Sequence, residues 1–238
     1  MFGWLRRTFR PPPTEQQLRM ARILASYPLY APPEFNPDST PESIRAASAQ
    51  YEEYFLGSRQ ARLEALRTFL GNFDVSLDTD DVGLMAVSTW LPQWADLLID
   101  DFDYRTVWYA NLRLEVPWTG PQHGPNVLFD LGIYYAECLW ARRTKLEWTV
   151  MRYRDANGDN AALHSIKGLP GGKPFDPIDF MHHQWWSIRQ AKIDKRRRSP
   201  LGDDPMILRS DTFYRHVLSN APPGRRRIKT GRPAVSMR

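Results

Sequence analysis

The amino-acid sequence predicts a predominantly helical α+β protein: a helical, bundle-like core with one small antiparallel β-hairpin. Three observations predict it. Apolar residues recur at helical spacing through most of residues 14–140. One later stretch, residues 146–169, instead sets two runs of strand-forming residues about an Asn157-Gly158 turn signal. The chain is 42% hydrophobic with nine Trp, which is ample material for a core.

The elements follow in order. Residues 1–13, MFGWLRRTFRPPP, are basic, aromatic and closed by prolines, and are expected to be a loosely ordered segment. A helix fits Thr14 to about Tyr27, with Leu18, Ala21, Ile23 and Leu24 at helical spacing. PLYAPPEFNPDSTP must be a loop. Thr40 caps the next helix with Pro41 in its first turn, and Ile44, Ala47, Tyr51 and Tyr54 share a face. After Gly57, Ser58 opens a separate helix carrying Leu63, Leu66, Phe69 and Leu70 and ending at Gly71. Thr79 caps a helix with Leu84, Val87 and Leu91, which Pro92 kinks or restarts. Residues 105–125 read as irregular but packed around Trp108, Tyr109 and Trp118. An apolar helix, NVLFDLGIYYAECLW, comes next. The hairpin follows, and a last long helix starts at Asp176 or Asp179 and runs through FMHHQWWSIRQAKIDKRRR. One domain over 14–200 results, with a C-terminal extension at 201–221 that has room for a short helix, and a disordered basic tail at 222–238.

The net charge of +5 is a property of that tail. Residues 222–238 hold six basic and no acidic side chains, leaving 26 basic against 27 acidic for the rest. The single cysteine, Cys138, allows no intrachain disulfide and reads as a small buried hydrophobe. No apolar run reaches the ~20 residues of a membrane span, and Arg6 and Arg7 stand where a secretion signal needs its apolar core. A cytoplasmic location without a membrane span is expected.

The apolar helix raises the sharpest question, because it carries Asp130 and Glu137. Seven residues apart, they lie nearly in line, roughly 10 Å apart along the axis. They read first as structural anchors paired with buried cations, and otherwise as a catalytic pair. His182 and His183 point about 100° apart and cannot easily share a metal; Asp179 and His183 have the right spacing for one, with Asp176 nearby, but no complete ligand set follows. DANGDN imitates the start of a calcium loop, yet Asn160 stands where Gly is needed and Ile166 where Glu is needed. Gly168, Gly171 and Gly172 match no phosphate-binding loop. No cofactor is expected.

Charge is sorted along the chain. Between Arg67 and Arg105 there is no Lys or Arg, while Asp74, Asp78, Asp80, Asp81, Asp96, Asp100, Asp101 and Asp103 all fall there. Such a face steers a basic partner; the competing account is that it meets this chain's own Lys192, Lys195, Arg196, Arg197 and Arg198, or water. Arg225, Arg226, Arg227, Lys229 and Arg232 in the tail, with Arg196, Arg197 and Arg198, are the residues that would contact nucleic-acid phosphates.

WTGPQHGPNVLFDLGIYYAECLWARRTKLEW, residues 118–148 and about an eighth of the chain, resembles a pattern seen in small uncharacterised bacterial proteins of the toxin-immunity kind. The matching residues are Trp118, Asn126, Asp130, Gly132, Glu137 and Trp148. The resemblance implies a stoichiometric binder without catalytic residues. The expectation is therefore a non-enzymatic, immunity- or antitoxin-like protein that docks a basic partner through Asp96, Asp100, Asp101 and Asp103. The alternatives are a nucleic-acid-associated accessory protein and a metal-dependent hydrolase using Asp130, Glu137 and His123 or His183.

Overall fold

Thr14 opens the first helix with a reciprocal cap: its hydroxyl accepts from Gln17 N, and Gln17 Oε1 accepts from Thr14 N. The computed structural model describes residues 12–38, 40–99, 102–143, 145–196 and 211–220, the side chains of 194–196 excepted. The expected disordered tail and most of the N-terminal segment lie outside these residues. Among the described residues the chain forms seven α-helices and one two-stranded antiparallel sheet. In chain order these are α1 (Glu15–Leu24), α2 (Pro41–Gly71), α3 (Asp81–Trp94), α4 (Tyr104–Leu112), α5 (Pro125–Trp140), β1 (Glu147–Arg154), β2 (Asn160–Lys167), α6 (Pro177–Arg196) and α7 (Thr212–Asn220).

Three expectations need correction. The helices expected on either side of Gly57 are one, the 31-residue α2. Gly57 faces open space, so it costs only its conformational freedom, about 1 kcal/mol. Tyr51 and Phe55 before it and Arg62, Leu66, Phe69 and Leu70 after it bury on the same side, which outweighs that cost. Ser58 does not cap; its hydroxyl donates to Phe55 O inside the helix. At the next boundary, Asp80 rather than Thr79 caps α3, accepting from Gly83 N at 2.9 Å. That helix continues through Pro92 to Trp94 before tightening into a 3-10 turn at Ala95–Leu97. Finally, part of the stretch read as irregular is α4, capped by Asp103, with Val107, Ala110 and Asn111 buried on one face. Its Trp and Tyr residues, indifferent helix formers, hid that face in the sequence. The rest of the stretch does lack regular structure apart from a 3-10 turn at Gly120–Gln122, and contains a cis Val116–Pro117 bond.

Helix α5 is the axis of the molecule. Every residue from Pro125 to Ala136 is buried. It packs on α2, α6 and α7, while β1 packs on α2. The hairpin pairs Glu147 with Lys167 through Arg154 with Asn160, and Gly158 takes φ +81° in the turn between them. Asp155 Oδ1 accepts from Asn157 N and Asp159 N, so the calcium-like sequence is a side-chain-braced turn.

Gly132 sets how closely α5 approaches α6. A Cβ there would lie 2.7 Å from Ile178 Cα and 2.9 Å from its Cγ1. Gly132→Ala should therefore force the helices apart and lower stability by about 1–3 kcal/mol, the usual range for overpacking. Urea unfolding checks it; an unchanged midpoint would mean the two helices are not in this contact.

Candidate functional site

Asp130 lies on the buried face of α5 toward α2, with no exposure to solvent. Arg62, buried one-third of the way from the end of α2, donates from Nε to Asp130 Oδ1 at 2.8 Å. Its Nη2 sits 2.8 Å from Oδ2 in ion-pair contact without the alignment of a second hydrogen bond. Arg62 Nη1 donates to Pro28 O and Leu29 O, and Tyr27 Oη donates to Asp130 Oδ2. One turn earlier, Asn126 accepts from Tyr30 N and donates to Trp118 O and His123 O, while His123 Nε2 meets Tyr27 O at 2.8 Å. Burial pushes the Asp130 carboxyl up to about 6 against the pull of Arg62. Burial pulls Arg62 down, but Asp130, joined by Tyr27 and Tyr30, more than reverses it and holds the guanidinium above its ordinary value. At neutral pH both are charged, and every oxygen of the carboxylate is engaged. The pair clamps the Tyr27–Tyr30 backbone to α5 and α2.

Glu137 behaves differently. Its side chain is 30% exposed, and its pair with Arg59 spans 3.4 Å. Asp130 is buried and paired, whereas Glu137 is part-exposed, because it lines an open groove with Leu56, Arg59 and Gln60 of α2 while Cys138 and Leu139 beside it stay buried. Burial raises the Glu137 carboxyl, with Arg59 opposing. Glu137→Gln should therefore cost only what a part-exposed pair contributes, about 0–1 kcal/mol in urea unfolding.

The two carboxylates do not converge with the histidines named beside them. His123 is held at Tyr27 O, and His183 lies against Tyr104 Oη and Asp179. Asp179 in turn accepts from Trp108 Nε1 at 2.8 Å, and Asp176 accepts from Ile178 N and Asp179 N to open α6. Among the described residues, no group of three or more His, Cys, Asp or Glu is placed to hold a metal ion. His182, next to His183, is fully buried.

The acidic segment divides. Asp96 is only 10% exposed and pairs with Lys192 of α6, one of this chain's own cations. It is thus not on an open acidic face. Asp103 caps α4, accepting from Thr106 N and Thr106 Oγ1, and stays exposed; the hydroxyl bond and the backbone bond hold its carboxyl below the usual value. Asp100 and Asp101 lie outside the described residues. So do Arg197, Arg198, Arg225, Arg226, Arg227, Lys229 and Arg232, and Arg196 is described only as the last residue of α6.

The same basic-free span builds a feature that no motif announced. Along the outer face of α3 runs a groove of about 640 Å³. Its apolar wall includes Val82, 75% exposed, and Met85, 37% exposed, with Phe73, Trp90 and Trp94 beside them. Asp74 and Asp81 stand in the same wall, and Arg142 reaches the exposed Asp81 at 2.7 Å. Arg19 lies over the rings of Phe73 and Trp94 at one edge. The signal was legible: Val82 and Met85 are three apart on the side of α3 opposite Leu84, Val87 and Leu91.

Compared with protein-family models, curated proteins and solved structures, the chain matches none. Among the described residues, no helix is long and apolar enough to cross a membrane.

Proposed function

We propose that this chain is a non-enzymatic binding factor, of the immunity or antitoxin kind, that captures a basic partner protein on the groove along α3. The observation that supports the reading is the conjunction, in one groove, of exposed Val82 and Met85 with the carboxylates of Asp74 and Asp81. An exposed apolar patch with carboxylates in its wall, Arg142 pairing one of them and Arg19 lying at one edge, suits an amphipathic basic segment: apolar contact supplies affinity, and the acidic groups supply speed and selectivity. The anchored Tyr27–Tyr30 loop and the Arg62–Asp130 pair act in this reading as the frame that fixes α2 and α5.

The test is capture on immobilised full-length chain, wild type against Val82→Lys/Met85→Lys, two exposed positions whose replacement leaves the core intact. The double variant should lose at least about tenfold in partner affinity, as expected where central apolar contacts are removed. Raised salt should slow association in the wild type. A partner bound equally well by both proteins rejects the groove as its docking surface.

A further inference from the structure

Arg152, on β1, stands in contrast to Arg62. Both are buried arginines; Arg152 is 6% exposed. Yet among the described residues no carboxylate pairs with it. Its Nη2 makes one long hydrogen bond to Arg113 O, at 3.4 Å, and its Nε makes none. The guanidinium lies over the rings of Phe35, 4.6 Å away, and Tyr51, 5.5 Å away, and the residue's backbone N–H is held by Ser48 Oγ. Cation–π contact offsets part of the cost of burying a charge, and a counter-ion would offset more. Burial draws its pKa below the ordinary arginine value, with the Tyr51 and Tyr30 hydroxyls opposing. The neighbouring His164 supplies no negative charge, being a neutral imidazole whose Nε2 meets Tyr51 Oη.

Arg152 forms part of the wall of a cavity of about 510 Å³, within the size range of small-molecule sites. The other charged groups there are Arg113, Glu34, Glu115 and Asp159. Arg113 is engaged by Asp159 at 2.7 Å and approached by Glu115 at 3.8 Å. Glu34 is exposed and makes no ion pair among the described residues. Leu114, in the same wall, holds a left-handed φ of +51°, a conformation that costs energy for a branched side chain and recurs at binding sites.

We propose that this cavity binds a small zwitterion of the amino-acid class, with its carboxylate on Arg152 and its ammonium group toward Glu34. A planar carboxylate suits the fork of a guanidinium already held against two rings. Three carboxylates in the same wall oppose a multiply charged anion such as phosphate and favour a ligand that carries a positive group as well. The proposal uses no residue of the α3 groove, so either can fail without the other.

The experiment is thermal unfolding of the full chain with each of the twenty amino acids, acetate, methylammonium and inorganic phosphate, followed by calorimetric titration of the best probe. At least one amino acid should raise Tm in a concentration-dependent way, and bind better than acetate, methylammonium or phosphate. Arg152→Met should weaken it at least about tenfold, the loss of a charge-assisted pair, and Glu34→Gln should weaken it several-fold. Because Arg152→Met touches buried packing, the exposed Glu34→Gln and the conservative Arg152→Lys keep the test decisive if that variant does not fold. No shift with any amino acid, equal binding of acetate or phosphate, or affinity that survives both Arg152→Lys and Glu34→Gln overturns it.

Discussion

Asp130→Ala should destabilise the chain by about 3–5 kcal/mol, the range for removing one partner of a buried ion pair. Three groups are orphaned together: the Arg62 guanidinium, the Tyr27 hydroxyl and, through Arg62, the docking of Pro28 O and Leu29 O. Arg62→Met alone should cost a similar amount, since it leaves a carboxylate with no solvent access. The double change Asp130→Leu/Arg62→Met should cost less than the two single losses added together, because neither charge is left buried alone, although Tyr27 Oη, Pro28 O and Leu29 O still lose their partners. Chemical unfolding of the four proteins as a double-mutant cycle gives the coupling directly. A single-variant loss below about 1 kcal/mol would place the pair in water rather than in the core. This is the strongest test of the anchor assignment.

The second large effect concerns acid. His182 is fully buried, and neither ring nitrogen has a hydrogen-bond partner among the described residues. Burial, with His183 adding to it, pushes its pKa down to about 3. The unfolded chain takes up that proton near pH 6.5. The folded state therefore binds fewer protons between about pH 6.5 and 3, and this residue's contribution to stability is complete above that window and lost as pH falls through it. His182→Leu should be neutral or slightly stabilising at pH 7, since it removes unpaired polar atoms. At pH 5 the variant should gain about 2 kcal/mol more over the wild type, from the linkage relation. Comparing the two proteins isolates the effect from Asp130 and Asp176, whose carboxyls burial raises to about 6 and whose protonation acts in the opposite sense. A wild-type-to-variant difference that does not change with pH would show that His182 protonates in the folded chain.

Much of this architecture was legible in local patterns. The caps at Thr14 and Thr40, the hairpin about Asn157-Gly158 and the start of α6 each depend on residues within a few positions of one another. What escaped were the places where distant contacts override a local signal. Gly57 looked like a boundary because its break in helix propensity is local, whereas the burial that carries α2 past it comes from α5 and β1. Glu137 looked as buried as Asp130 because apolar neighbours in sequence do not report which side of a helix stays uncovered. Arg62 carried a readable clue: it stands seven residues after Phe55 and four before Leu66 on the stripe that α2 buries. His164 carried a similar one, lying between Ala162 and Ile166 on the inward face of β2. The missing counter-charge at Arg152 had no such clue, since charge neutrality is a property of the three-dimensional neighbourhood.

The clamp on Tyr27 and Tyr30 also has a bearing on biogenesis. Their partners on α5 lie 103 and 96 residues downstream. While the chain is being made, α2 can receive Arg19, Pro28 and Leu29 early, but the bonds of Tyr27 and Tyr30 to α5 cannot close until Asn126 and Asp130 have left the ribosome. The Tyr27–Tyr30 stretch thus waits for partners made long after it, and a nascent chain halted before residue 126 should leave that stretch open to protease.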